Sequence, residues 1–380
     1  MKIVHICYVG AYNEGWTYQE NLLSKYHARL GHDVTLLCIP LEYRAGELRK
    51  SSDTDYINKD GVHVIRMQEK INIANKLVWY KGTKRILYNI MPDILFVHGC
   101  QFMDAKVVAN YVKTHPNVKM YVDNHCDYSN SATNFVSKYI LHKIFWKHCA
   151  HVLEPYTQKF YGVLPARVDF LQELYRLPSD KCELLVMGGD DDYISAAGTA
   201  ENIKRVRKKH GINSDDFLIV TGGKIDEFKA QTIILIEAVK QINNSKVRLI
   251  VFGSVSNNVK IDNLIDGNHV QYIGWIKPNE TYDYFAAANL VVFPGRHSVF
   301  WEQVVAQGIP MIVKDWSGTH HVDIGGNVVF LTRDSADEIK TKIEEIINQP
   351  ERYYNMRKVA CGEGRKLFSY LELAKRSIEQ

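Results

Sequence analysis

Short apolar runs alternate with stretches of helical spacing along almost the whole chain. Ile3–Val9, Val34–Ile39, Val62–Ile65, Ile94–Val97, Lys119–Val122 and His151–Leu153 read as buried strands. Between the first two, Leu22, Leu23, Tyr26 and Leu30 recur at helical spacing, and Gly31 stops that helix. From about Leu177 to Ser214 the pattern blurs, and GGDDDYISAAGTAEN reads as loop and linker. It then restarts. Phe217–Val220, Val247–Phe252, Val270–Tyr272, Leu290–Phe293, Met311–Val313 and Val328–Leu331 are the next strands, with helices around 230–243, 279–288, 300–307 and 335–348.

Strands alternating with helices imply βαβ units, parallel sheets and right-handed crossovers. The predicted fold class is α/β, with two Rossmann-like domains facing across a cleft. The expected boundaries are residues 1–185 for an N-terminal domain and 186–355 for a C-terminal domain. A final helix, 356–380 within a polar stretch from about 352, is expected to pack back on the first domain. The 380-residue length agrees with two domains, because single cores rarely grow past roughly 250–300 residues.

Composition narrows this little. The chain is 46% hydrophobic and 24% charged, ordinary for a globular protein. A formal charge of +4 is too small to argue nucleic acid, but it permits an anionic ligand or membrane surface. The seven cysteines are scattered without CxxC spacing, which fits a reducing cytoplasm and no zinc site. MKIVHICYVG reads as a first strand rather than a signal peptide, and no window is apolar enough to span a membrane.

Chemistry concentrates where strands hand over to helices. In DFLIVTGGKIDEFKAQ, the run Phe217–Val220 ends in Gly222 and Gly223, and Lys224 and Lys229 follow. Glycines let backbone N–H groups approach an anion, and a helix N-terminus carries partial positive charge. A diphosphate cradle and a plain turn with two solvated lysines both fit this stretch. After the first strand, Gly10 and Gly15 bracket a loop carrying Trp16 and Tyr18. The loop is not GxGxxG, and no carboxylate ends the second strand, which weakens a nicotinamide reading.

The ordered set of these segments resembles the retaining glycosyltransferases of family 4, which have the GT-B fold. GAYNEGWTYQENLL with LGHDVTLL is similar to the family's first loop, helix and second strand. PDILFVHG, TGGKIDEFKA, VQYIGWIKPNETYDYFAAANLVVFPGRH and QGIPMIVKDWSG follow in the family's order. The resemblance implies a nucleotide-diphosphate-sugar donor and no metal. Lys224 and Lys229 would then neutralise the diphosphate, with Gly15, Gly222 and Gly223 lining the donor site.

The signature loop departs from the family. FPGRHSVFWEQVVAQGIP has Gly295 where Ser is usual, and one glutamate, Glu302, in place of a spaced pair. Glu302, or Gln303 beside it, would take the ribose hydroxyls, while His297 and Ser298 occupy the neighbourhood of the missing glutamate. In YVDNHCDYSNSA, His125 matches the family's histidine near donor sugar and acceptor, and Asp127 would orient it or bind acceptor. His98 is expected to shape the cleft, and Asp190–Asp192 to play a structural role.

The implied activity is transfer of a sugar to a glycan or lipid-linked saccharide in surface polysaccharide biosynthesis. The expected location is the cytoplasm, peripherally on the inner face of the membrane. The stretch VSKYILHKIFWKHCAHVL, with KLVWYKGTKR, reads as a basic-aromatic surface for anionic lipid or as an ordinary amphipathic helix with solvated lysines. The rival readings are a catalytically degenerate GT-B binding subunit and a sugar-nucleotide epimerase.

Overall fold

The computed structural model describes residues 1–44, 46–226, 231–256, 259 and 261–379. The chain folds into two compact units, Met1–Val186 with Tyr370–Gln380, and Met187–Ser369.

The first unit is built on an eight-stranded sheet. Its order is Cys182–Leu184, Thr157–Gly162, Lys119–Asn124, Ile94–His98, Lys2–Cys7, Asp33–Cys38, His63–Arg66 and Asp55–Ile57. All pairs are parallel except the last, where Asp55–Ile57 runs antiparallel to His63–Arg66. Strand order reverses between Lys2–Cys7 and Ile94–His98, the place where open α/β sheets hold ligands. The central strands are largely apolar, as expected where both faces are covered, and Ile3, Val4, Ile6 and Leu95–Val97 are fully enclosed, with His5 and His98 buried among them.

The second unit has six parallel strands in the order Val270–Tyr272, Val247–Phe252, Phe217–Gly222, Leu290–Phe293, Met311–Lys314 and Val328–Leu331. Its reversal lies between Phe217–Gly222 and Leu290–Phe293. The core gathers Ile219, Leu249, Val292 and Ile312 under the helices Gln231–Lys240 and Ala336–Asn348.

Three expectations need correction. His151–Leu153 is not a strand: it ends the helix Lys147–Leu153, and the strand follows at Thr157–Gly162. The preceding Val136–Trp146 is a wide, i→i+5 helix. The expected linker carries two helices, Asp191–Ala197 and Ala200–Lys209, each N-capped by a side chain, Asp190 and Thr199. The acidic triplet therefore starts a helix. Beyond residue 349 there is no single helix. Pro350–Ala360 lies in the second unit, and after a short turn Tyr370–Arg376 belongs to the first, with Leu373 and Ala374 buried.

Candidate functional site

Each unit places a buried carboxylate between two histidines beside its strand-order reversal. In the second unit, the helix Phe300–Gln307 follows the strand Leu290–Phe293, so Glu302 sits in its first turn, where the helix dipole favours an anion. Glu302 is fully buried. Its Oε1 lies 2.8 Å from His297 Nε2 and 2.8 Å from His321 Nε2. Burial pushes its carboxyl up, but His297 and then His321 outweigh that and hold it well below the usual range. The group is an anion, and its Oε2 has no hydrogen-bond partner among the described residues. A buried, unpaired carboxylate oxygen is a strong acceptor awaiting a donor.

Around it, the predicted residues divide. His297 is brought onto Glu302 and meets the Trp301 ring edge-on at 5.0 Å. The Ser298 carbonyl accepts the Trp301 N–H at the helix start. Gln303 turns elsewhere: its amide donates to Thr281 Oγ1 at 2.9 Å. Of the two candidates for hydroxyl binding, Glu302 has the free acceptor. The histidine that sequence reasoning missed is His321. Its signal was the pair His320–His321 in HHVDIGGN, the loop after the next strand, where Asp323 Oδ1 takes the Gly325 and Gly326 N–H groups.

The glycine pair behaves differently from the expected cradle. A Cβ on Gly222 would lie 2.2 Å from the Phe252 ring, and one on Gly253 would lie 1.8 Å from the Gly223 carbonyl oxygen. These glycines let two neighbouring loops pack against each other. The Gly223 N–H already donates to the Phe252 carbonyl at 3.1 Å, so it is not a free donor for an anion. Lys224 is exposed, with Nζ 3.1 Å from Asp226 Oδ2. Lys229 lies outside the described residues.

In the first unit, Asp123 and Asn124 end the strand Lys119–Asn124, and His125 follows. Asp123 Oδ2 lies 2.8 Å from His98 Nδ1 and 3.3 Å from His125 Nε2, and Oδ1 accepts the Gly99 N–H at 3.0 Å. Burial raises its carboxyl, yet His125 and His98 together hold it well below the usual range. His98 thus anchors the carboxylate beside His125. Asp127 does not reach His125. Its oxygens take the Ser129 and Asn130 N–H groups and the Arg167 guanidinium, which fastens the loop. Gly15, at φ 77°, forms an exposed turn, and Trp16 stacks on Tyr43 at 5.6 Å. Gln19 beyond it is buried with neither amide atom partnered among the described residues.

Both clusters bring potential metal-ligand atoms within 4.8 Å of one another, His98–Asp123–His125 and His297–Glu302–His321. The second set suits hydrogen bonding better. A metal-bound histidine ordinarily donates its other N–H to an acceptor. His321 Nδ1 is buried without one among the described residues.

Residues 202–361 match the family described as glycosyl transferases group 1. A search of the curated proteins finds no match. Among solved structures, a glycosyltransferase from Rickettsia africae superposes with a TM-score of 0.71 at 16% identity, over 100% of this chain and 97% of that one. HepE of Anabaena, in complex with UDP and glucose, gives 0.68 at 14%, over 100% and 98%. The UDP-GlcNAc 2-epimerase of Neisseria meningitidis, bound to UDP-GlcNAc, gives 0.64 at 12%, over 100% and 99%. At these identities the likeness carries the fold and nothing finer.

Proposed function

We propose that this chain, of the GT-B fold and with residues 202–361 matching the glycosyl transferases group 1 family, moves a sugar, with retention, from a nucleoside-diphosphate sugar to a glycan or lipid-linked saccharide in surface polysaccharide biosynthesis. The observation that carries this reading is the ionised, buried Glu302 with one oxygen unpaired, next to the strand-order reversal. That oxygen suits the hydroxyls of the donor, with His297 fixing the carboxylate and Ser298 beside it. Lys224, released from Asp226, and Lys229 neutralise the diphosphate without a metal. As the C1–phosphate bond breaks and C1 bonds to the acceptor oxygen on the same face, the acceptor proton passes to the departing phosphate. Fixed positive charge at that phosphate is the kind of preorganised stabilisation that dominates such reactions. His125, with Nε2 3.3 Å from the Asp123 carboxylate, contributes a hydrogen bond near the acceptor hydroxyl.

A groove of about 840 Å³ in the first unit suits the acceptor. It runs from Gln101 and Cys126, next to His125, to Val136, Leu141 and the hairpin tip Ile73–Leu77. Beside it Phe135, Val136, Ile140 and Ile144 are exposed on one wide-turned segment, among Lys138, Lys143 and Lys147. Apolar side chains with cations and no acid nearby in sequence fit an anionic lipid surface. No helix among the described residues is long and apolar enough to cross a membrane.

The epimerase reading draws on the epimerase-like fold. It needs free acid–base carboxylates in the first unit, and Asp123 and Asp127 are both engaged, which favours transfer. The test is thermal stabilisation by UDP, GDP, ADP, CMP and NAD without metal, UDP first because the HepE complexes hold UDP and UDP-glucose. A ligand at 100 times its Kd adds roughly 2.7 kcal/mol. A shift with one nucleoside diphosphate, followed by sugar transfer, supports the reading; no shift with any returns the protein to a non-catalytic binding subunit.

A further inference from the structure

Behind His125 a continuous string of polar groups crosses the buried core of the first unit. From Asp123 it passes to His98, whose Nε2 lies 2.9 Å from His5 Nδ1. His5 Nε2 lies 3.0 Å from His27 Nδ1. His27 Nε2 lies 2.9 Å from the Ala374 carbonyl and 3.0 Å from Ser377 Oγ, and that hydroxyl also has the same carbonyl as an acceptor at 2.8 Å. His5, His27 and Ser377 are fully buried and His98 nearly so. Every ring nitrogen of the three histidines is used.

Counting protons limits the states of this string. Three neutral imidazoles bring three N–H groups. The Asp123 carboxylate at one end and the Ala374 carbonyl at the other both only accept. If the N–H groups point toward Asp123, His27 Nε2 is left as a bare acceptor, and Ser377 Oγ–H is the donor in reach. If they point toward Ala374, the lone pair of His98 Nδ1 faces a carboxylate oxygen at 2.8 Å. A fourth proton would satisfy both ends at the expense of an imidazolium in the core. Burial, with the neighbouring rings, holds His5 well below the ordinary histidine range, and burial brings His27 down to about 3, so neither of these two rings carries that proton at neutral pH.

We propose that Ser377 is a positioning residue for the transfer site. Its hydroxyl donates to His27 in place of the Ala374 carbonyl, sets all three rings as Nδ1–H tautomers directed at Asp123, and so holds the carboxylate beside His125. The C-terminal segment Tyr370–Arg376 and the residues after it are thereby part of the first unit's site rather than a fastening. The functional half of this inference rests on His125 acting in transfer; the tautomer half does not.

The test starts with ¹⁵N-histidine NMR on the full chain, since proton positions are not visible from heavy atoms. The expected result is protonated Nδ1 and bare Nε2 at His5, His27 and His98. A proton on Nε2 of any of them, or on both nitrogens, overturns the directed string. Ser377→Ala should then move a proton onto His27 Nε2 and lower kcat about tenfold, in the range seen for outer-shell partners, with donor KM unchanged. Ser377→Thr, which keeps the hydroxyl, should restore both. His32→Gln, beside His27 but outside the string, should alter neither. Unchanged tautomers and kcat in Ser377→Ala overturn the proposal. Full turnover in His125→Ala instead removes the reading of His125 and leaves the tautomer result standing.

Discussion

Asp123 and Glu302 are the same device in two states of completion. Each is a buried anion flanked by two histidines next to a strand-order reversal. Asp123 is saturated by His98 and the Gly99 N–H, with His125 close by, so it acts on a ligand through His125. Glu302 receives both its donors on Oε1 and keeps Oε2 open. Leaving a buried acceptor unpaired costs about 1–3 kcal/mol, which a ligand hydroxyl would offset. Completed carboxylates position, and incomplete ones bind. That distinction cannot be read from residue type, because both are acids among histidines.

The largest effect should come from neutralising the open carboxylate. Glu302→Gln keeps the shape and removes the charge. Transfer is expected to fall on the order of 100-fold to 1000-fold, as when a preorganised group is lost, with the nucleotide-induced thermal shift also gone. Asp123→Asn should leave that shift intact while lowering turnover. If both variants lose nucleotide binding equally, the contrast between binding and positioning fails.

Next in size is Lys224. Hydrogen bonds to charged groups contribute about 1.5–3 kcal/mol, so Lys224→Ala should weaken nucleoside-diphosphate affinity roughly 10-fold to 100-fold. The fold should be unaffected, because the ammonium is exposed and holds only the Asp226 ion pair among the described residues. Calorimetric titration with the diphosphate decides it; unchanged affinity removes Lys224 from the donor site.

The sequence made the second unit easier to read than the first, and the reason is physical. Its parallel strands are buried on both faces and stand out as apolar runs such as Val247–Phe252. The first unit adds the hairpins Leu41–Arg44 with Glu47–Lys50 and Glu69–Ile73 with Leu77–Tyr80, largely exposed strands that give no such run. His151–Leu153 looked like a strand because three residues cannot distinguish a buried helix end from a strand. The caps Asp190 and Thr199 were present as helix-start signals, but the glycines around them read as linker. Within the candidate site, His125 and Glu302 were singled out by the resemblance of their segments to the family's motifs. His321 approaches Glu302 from 19 residues away, and His5 meets His98 across 93. Such partnerships are made by sheet order, which a single sequence does not display.

A third measurement isolates the first unit. His27, held down to about 3 by burial, is neutral in the fold, whereas its unfolded value lies near 6.5. As pH falls below 6.5 the unfolded chain takes up the proton first, so stability is lost on acidification. By pH 5 the loss is on the order of 2 kcal/mol for this ring, and His5 acts in the same direction. Asp123 and Glu302 have depressed folded values, so their loss begins lower, near the unfolded carboxylate range of about 4. Denaturant melts at pH 6.5 and 5 should therefore show a smaller loss in His27→Gln than in the wild-type chain. An equal loss would mean that His27 carries a proton in the fold, and the string would then be charged.

The smallest effect concerns how the second unit's open site is framed. Gly295 stands where the resembled family usually has serine, and a Cβ there would lie 3.3 Å from Gln231 Oε1. That oxygen is buried and has no partner among the described residues. Gly295 has no positive φ, so a side chain brings no backbone strain. In Gly295→Ser the glutamine tip must give by a few tenths of an ångström, and the new hydroxyl can then donate to it. One net hydrogen bond contributes about 0.5–1.5 kcal/mol, reduced by that adjustment, so a stability gain below about 1 kcal/mol is expected by thermal melt. If nucleotide affinity falls while stability rises, Gln231 Oε1 was reserved for the ligand, and it binds alongside Glu302 Oε2. If affinity holds, Glu302 alone carries the contrast with Asp123.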